Sequence, residues 1–218
     1  MPDSPASATG TTHTSIRVQA FGDLIDAIAA KSPAPGGGAV ASATGALGAA
    51  LAGMVLSYSH GKTSLAEHAD AHQALIQQCA REGERLLVLA DADAEAYREL
   101  NTLQRLPEDD RQRREGLPDA AQRCVDVPLE VQRVCLSLLE AFEALAPIAN
   151  KWLLSDLRIA AILAEAAVRA SACNVGVNTP TLAEACSDTK ADEASATSQE
   201  ACRRAGVSLA SVEAKIDR

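Results

Sequence analysis

Aromatic side chains are nearly missing from this 218-residue chain, which has one Trp, two Tyr and two Phe. Any core must therefore be closely packed Ala, Leu and Val, for which a hydrophobic share of 47% is ample. Positive charge is also short. Lys and Arg number 20 against 29 Asp and Glu, for a net charge of −9 and an isoelectric point near 4.9. That balance argues against nucleic acid as a partner, because a phosphate backbone needs a basic face. An anionic small molecule in a local basic pocket is still allowed. Cys79, Cys124, Cys135, Cys173, Cys186 and Cys202 form no C-x-x-C pair, and their gaps match no zinc pattern. No signal peptide is recognisable, and residues 1–15 contain no Arg, unlike a mitochondrial transit peptide. Reduced thiols in a cytoplasmic protein, mostly small buried hydrophobes on helices, are the expectation.

Strand-like alternation and internal repeats are absent too, so helical periodicity organises the chain. Residues 1–15, rich in Ser, Thr, Pro and Ala, read as a floppy tail. Residues 16–218 read as a single all-α domain, an antiparallel bundle of long helices. The first helix, about 19–31, carries Phe21, Leu24, Ile25 and Ile28 on one face. Others are expected over about 38–59, 64–104, 117–146 and 190–216, and one opens at Ser155 as N-cap. Pro118 suits a first helical turn, and Pro128 is expected to kink or restart its helix. The charged stretch Pro107 to Gly116 reads as solvated surface, a loop or short helix.

What is abundant is small side chains, concentrated in KSPAPGGGAVASATGALGAALAGMV from Lys31 to Val55. No charged residue occurs from Ser32 to Gly61, a length that could span a bilayer. Ala and Gly outweigh Leu and Ile, however, so a central helix buried on every side is the preferred reading. Gly45, Gly48, Ala49, Ala52 and Gly53 would let neighbouring backbones approach, offsetting about 1 kcal/mol for each helical glycine. The Pro33-Ala34-Pro35-Gly36-Gly37-Gly38 turn leads into a helix N-terminus, whose free N–H groups suit an anion. Gly61-Lys62-Thr63 is not a phosphate loop, because Leu56 stands where the loop glycine should be. His68 and His72 lie one turn apart but lack the H-E-x-x-H glutamate and an evident third ligand, so they read as surface histidines and no metal is expected.

Two carboxylates stand out. Asp93 interrupts the apolar seam Leu86, Leu89, Tyr97, Leu100, where a charge must be paired, hydrogen-bonded or protonated. It is a candidate acid or base, or else a core residue capping a neighbouring helix. Asp156 follows Ser155 at a helix start, where the dipole favours a carboxylate in any case.

The order of these pieces is specific. SPAPGGGAVASATGALGAALAGMV is followed by GK, DADAEAY, LP, DVPLE, then N and SD with AEAA, and finally NVGVN. Over about residues 16–215 the chain resembles the folate cyclodeaminase/cyclohydrolase family, which includes the cyclodeaminase part of formiminotransferase-cyclodeaminase and bacterial methenyltetrahydrofolate cyclohydrolases. The resemblance implies an all-helical homodimer with a folate site near the subunit contact. On it, Pro35, Gly36, Gly37 and Gly38 form the signature turn and Lys62 the basic element that holds a folate carboxylate. Asp93 and Tyr97 belong to a D-x-x-A-aromatic motif, Asn150 and Asp156 to an N…SD element, and Asn174 and Asn178 to the late N-V-x-x-N. Asp93 or Asp156 would carry the proton chemistry on a tetrahydrofolate substrate, with no cofactor. Hydrolysis of 5,10-methenyltetrahydrofolate to 10-formyltetrahydrofolate is favoured over deamination of 5-formiminotetrahydrofolate, since no formiminotransferase half is joined to the chain. A non-catalytic helical dimer that binds a folate-like ligand or a partner protein is the reading from another class. Gly61-Lys62-Thr63-Ser64-Leu65, where relatives carry a basic-aromatic run, keeps that reading open.

Overall fold

The computed structural model describes residues 20–217, so the N-terminal tail expected over 1–15 lies outside the described residues. Six α-helices follow one another: α1 (Phe21–Ala29), α2 (Gly37–Ser59), α3 (Ala69–Gln104), α4 (Arg111–Leu145), α5 (Leu154–Ala185) and α6 (Asp188–Ile216). Short 3-10 turns at Thr63–His68, Ala146–Ile148 and Lys151–Leu153 link them, and no strand occurs among the described residues. Helices α2 to α5 alternate in direction. Gly45 of α2 faces Leu86, Gln78 of α3 bonds Ser137, and Gln132 of α4 bonds the Val168 carbonyl. α6 lies in the groove between α4 and α5 and runs parallel to α4, tied by Arg204 to Glu140 and by Lys215 to Glu143.

The core is what an aromatic-poor chain can build. Phe142 is its one buried aromatic among the described residues, packed with Leu56, Leu86, Leu138, Leu139, Leu145 and Leu157. The helical glycines admit their neighbours: a Cβ at Gly48 would come within 2.9 Å of the Ala160 carbonyl, and one at Gly45 within 2.8 Å of Cys135 Sγ. Gly53 has nothing within 4 Å and plays no such part.

Several expectations are corrected. α2 is not buried on every side. It packs on α3 and α5, but Val40, Leu47, Met54 and Tyr58 form an exposed stripe along its outer edge. It occupies a corner of the bundle, so one edge stays unpacked. Both α2 and the helical stretch 151–185 are long and apolar enough to cross a membrane, with half of the α2 window buried within the protein. Of the α1 face only Leu24 is buried, against Ala39 and Ala90, while Phe21 is 68% exposed. α4 starts at Arg111, earlier than its apolar period suggests, because Asp110 accepts the Gln112 and Arg113 N–H groups. Pro118 and Pro128 therefore fall inside α4, which runs through both. α5 opens at Leu154 without a side-chain cap; the capping side chain is Asn150, which accepts the Trp152 N–H in the preceding turn. His72 is wholly buried, not superficial, with Nε2 2.9 Å from the Ile148 carbonyl.

Candidate active site

The Pro-Gly turn delivers the chain into α2 with Gly36 as N-cap and no capping side chain of its own. The free N–H groups of that first turn need acceptors. α3 supplies one: the Asp93 carboxylate takes the Ala39 N–H. This is possible only because residue 38 is glycine, since a Cβ there would overlap the Asp93 carboxyl. Burial pushes the Asp93 carboxyl above its ordinary value, and the Ala39 N–H pulls it partly back. Asp93 thus caps the start of α2 while its own proton affinity is raised.

Around it lies a cavity of about 230 Å³, lined by Gly36, Gly37, Gly38, Asp93, Tyr97, Asn174 and Asn178 among others. Seven residues singled out in the sequence therefore converge on one place from α2, α3 and α5. Asn174 Nδ2 is buried and without a hydrogen-bond partner, a donor available to a ligand. Its Oδ1 lies beside Gly37, where a Cβ would stand 3.3 Å away. Asn178 has a different task. Its Nδ2 donates to the Cys124 carbonyl at 2.8 Å. That carbonyl lies four residues before Pro128, which has no N–H to offer it. The amide of Asn178 replaces the missing donor and joins α5 to α4 at the cavity wall. Thr179 does the same within α5, donating to the Gly176 carbonyl at 3.2 Å, four residues before Pro180.

Cys124, Ala94 and Val177 also line the cavity. Their periodicity places them on helix faces but gives no sign of a site. The Cys124 thiol is pushed up to about 11 by burial and by the charge of Asp93, so it stays protonated near neutrality.

The remaining residues gather elsewhere. α2 has 23 residues, about 34 Å of helix, and Lys62 follows its far end. Gly61 makes that corner at φ +78°, a left-handed conformation that favours glycine. Lys62 Nζ donates to Asn150 Oδ1 at 2.9 Å, and the Asn150 N–H reaches Ser59 Oγ at 2.8 Å. Asp156 lies in the first turn of α5, about 27 Å along that helix from Asn174. Tyr58 and Trp152 border this second cluster. Pro35 belongs to the turn, joined to Ala34 by a cis peptide, but does not line the cavity. Among the described residues no group of three or more His, Cys, Asp or Glu is placed to hold a metal.

A helical bundle whose cavity joins a buried carboxyl of raised proton affinity, an unpaired amide donor and a side-chain-free helix start has the parts of an acid–base site for a small polar molecule. The family follows from sequence. Residues 20–197 match the profile of formiminotransferase-cyclodeaminase, and the chain belongs to that family. It is 34% identical over 160 residues to the methenyltetrahydrofolate cyclohydrolase of Methylorubrum extorquens, covering 71% of this chain and 76% of that protein. It is 34% identical over 194 residues to the formimidoyltransferase-cyclodeaminase of Rattus norvegicus and 37% over 156 residues to that of Sus scrofa. Those matches cover 86% and 69% of this chain but 36% and 29% of the relatives, so the chain spans about a third of their length. The crystal structure of a formiminotetrahydrofolate cyclodeaminase from Thermotoga maritima superposes with a TM-score of 0.84 at 26% identity, over 93% of this chain and 98% of that one.

Proposed function

We propose that the protein is a folate one-carbon enzyme that hydrolyses 5,10-methenyltetrahydrofolate to 10-formyltetrahydrofolate. The observation that carries this reading is Asp93, held in the cavity against the α2 N-terminus with a raised proton affinity. The substrate carbon sits between two nitrogens and bears positive charge. Ionised Asp93 offsets that charge and takes a proton from water as the C–O bond forms. The adduct then collapses: its hydroxyl proton leaves as the carbonyl forms, and N5 departs with the proton that Asp93 returns. One proton is released overall. A group positioned this way contributes roughly 100- to 10,000-fold. Asn174 Nδ2 is the donor available to orient the substrate.

Deamination of 5-formiminotetrahydrofolate is the second reading, favoured by the likeness to the Thermotoga maritima cyclodeaminase. There N10 attacks the formimino carbon and Asp93 passes a proton to the departing ammonia. Hydrolysis is preferred because, of the two relatives matched over most of their own length, the cyclohydrolase is 34% identical and the Thermotoga maritima cyclodeaminase 26%. Following the near-ultraviolet absorbance of methenyltetrahydrofolate with purified protein tests the choice. Faster loss than in buffer is expected. No acceleration, with ammonia released from the formimino compound, would move the assignment to the deaminase; neither would leave a non-catalytic binder.

The working unit we propose is a homodimer in the cytoplasm, where its six free thiols stay reduced. The uncharged α2 stripe and the exposed Ile159 and Ile162 of α5 make one apolar face. With the two-fold axis across this face and perpendicular to α2, the two α2 helices run antiparallel. The Lys62–Asn150 cluster of one copy then meets the glycine turn of the other, reuniting residues that a single chain keeps apart.

A further inference from the structure

The cavity at Asp93, about 230 Å³, is smaller than the roughly 300–1,000 Å³ typical of small-molecule sites. A folate with its ring system beside Asp93 and Asn174 must therefore leave the cavity before its tail ends. Pro33 and Tyr97 mark an exit, because both also line an open groove of about 630 Å³ along α3. Farther along, the groove is lined by Glu95, Arg98, Glu99, Asn101, Thr102 and Arg105.

The charge of this groove departs from that of the chain. Arg85, Arg123, Arg133, Arg158, Arg169, Arg203 and Arg204 each pair with a carboxylate. Arg98 and Arg105, like Arg81, Arg113 and Arg114, have no carboxylate partner among the described residues. Arg98 Nε donates to the Ala94 carbonyl at 3.0 Å, which leaves its terminal nitrogens free. Arg105 directly follows α3, where the negative helix end also favours a cation. Glu99 is neutralised by Arg123, so Glu95 is the acid left facing two cations. Asn101 and Thr102 donate to their own helix, to the Tyr97 and Arg98 carbonyls.

We propose that Arg98 and Arg105 hold the two carboxylates of the glutamyl tail of the folate, with the exposed Tyr97 ring against its benzoyl group. This rests on the folate reading of the cavity. The two arginines stand seven residues apart on one face, about 10 Å along the axis, and long guanidinium arms converge readily from there. The tail is thereby assigned to α3 and not to Lys62, whose ammonium is already engaged by Asn150.

The test compares 5,10-methenyltetrahydrofolate with 5,10-methenyltetrahydropteroate, which lacks the glutamate. Wild-type KM should be lower for the first by about tenfold or more, and added salt should narrow the gap. R98Q/R105Q should raise KM for the first substrate more than it lowers kcat, leave KM for the second unchanged, and so erase the gap; R98K/R105K should restore part of it. A double variant that keeps the wild-type ratio overturns the proposal, as does erasure of the ratio by K62Q alone. Calorimetry with N-(4-aminobenzoyl)-L-glutamate separates the two readings. Binding that R98Q/R105Q removes supports this tail site even if neither substrate turns over, in which case the reaction assignment fails. Turnover with no binding of this probe and no discrimination leaves the reaction standing and removes the tail site.

Discussion

Asp93 and Gly38 form one device at the scale of the residue. The carboxyl reaches the α2 N-terminus only where no side chain intervenes. Asp93→Asn keeps an acceptor for the Ala39 N–H but cannot take a proton, so turnover should fall about 100- to 10,000-fold, read in a steady-state assay. Its stability should move the other way. Because burial raises the folded carboxyl above its unfolded value, the native state binds the proton more tightly. This favours folding at low pH, and the advantage fades as pH rises through the raised folded value. At neutral pH the Asn variant, with no charge to bury, should therefore melt at or above the wild-type temperature, and the difference should shrink on acidification. Wild-type turnover should rise with pH across the same window. Gly38→Ala should cost about 1–3 kcal/mol through overpacking, and activity with it. Gly206→Ala, on α6 with nothing near its Cβ, should stabilise by about 0.5–1 kcal/mol in chemical denaturation.

At the scale of the element, the prolines inside α4 and α5 decide how the cavity wall is joined. Asn178→Ala strands a carbonyl beside the site and should cost about 1–3 kcal/mol. Pro128→Ala returns an N–H to the same carbonyl, so in that background the cost of Asn178→Ala should shrink. A denaturation double-mutant cycle measures the coupling, and equal costs in both backgrounds would dismiss it. The same features show what could be read from residues alone. Apolar periodicity located all six helices, and Asp93 was visible because it breaks an otherwise apolar seam. The bond between Asn178 and Cys124 was not visible, because it joins positions 54 apart in sequence and depends on how α4 packs on α5. The true start of α4 was hidden because Asp110 caps a stretch whose charges carry no apolar period. Tyr97 was legible as a motif aromatic, but Cys124 was not legible as a cavity residue, since a buried thiol on a helix looks the same wherever it points.

Over the whole molecule, the split between two residue clusters at opposite ends of α2 is the feature a single chain does not resolve. Leu47→Glu places a charge in the middle of the exposed stripe and should yield monomers by light scattering, with loss of turnover. Mixing and refolding Lys62→Ala and Asp93→Asn chains, each impaired alone, should raise activity toward about a quarter of wild type, because half the random dimers carry one intact site of two. No recovery would mean that each chain works alone. Nothing in the linear order indicated which end of a second copy would meet the far end of α2. Trp152 lies at that end, 76% exposed, and it is the only indole in the protein. Its emission should therefore be that of a hydrated indole while copies are apart and shift to the blue as dilution is reversed. One native fluorophore then reports the association constant without any label.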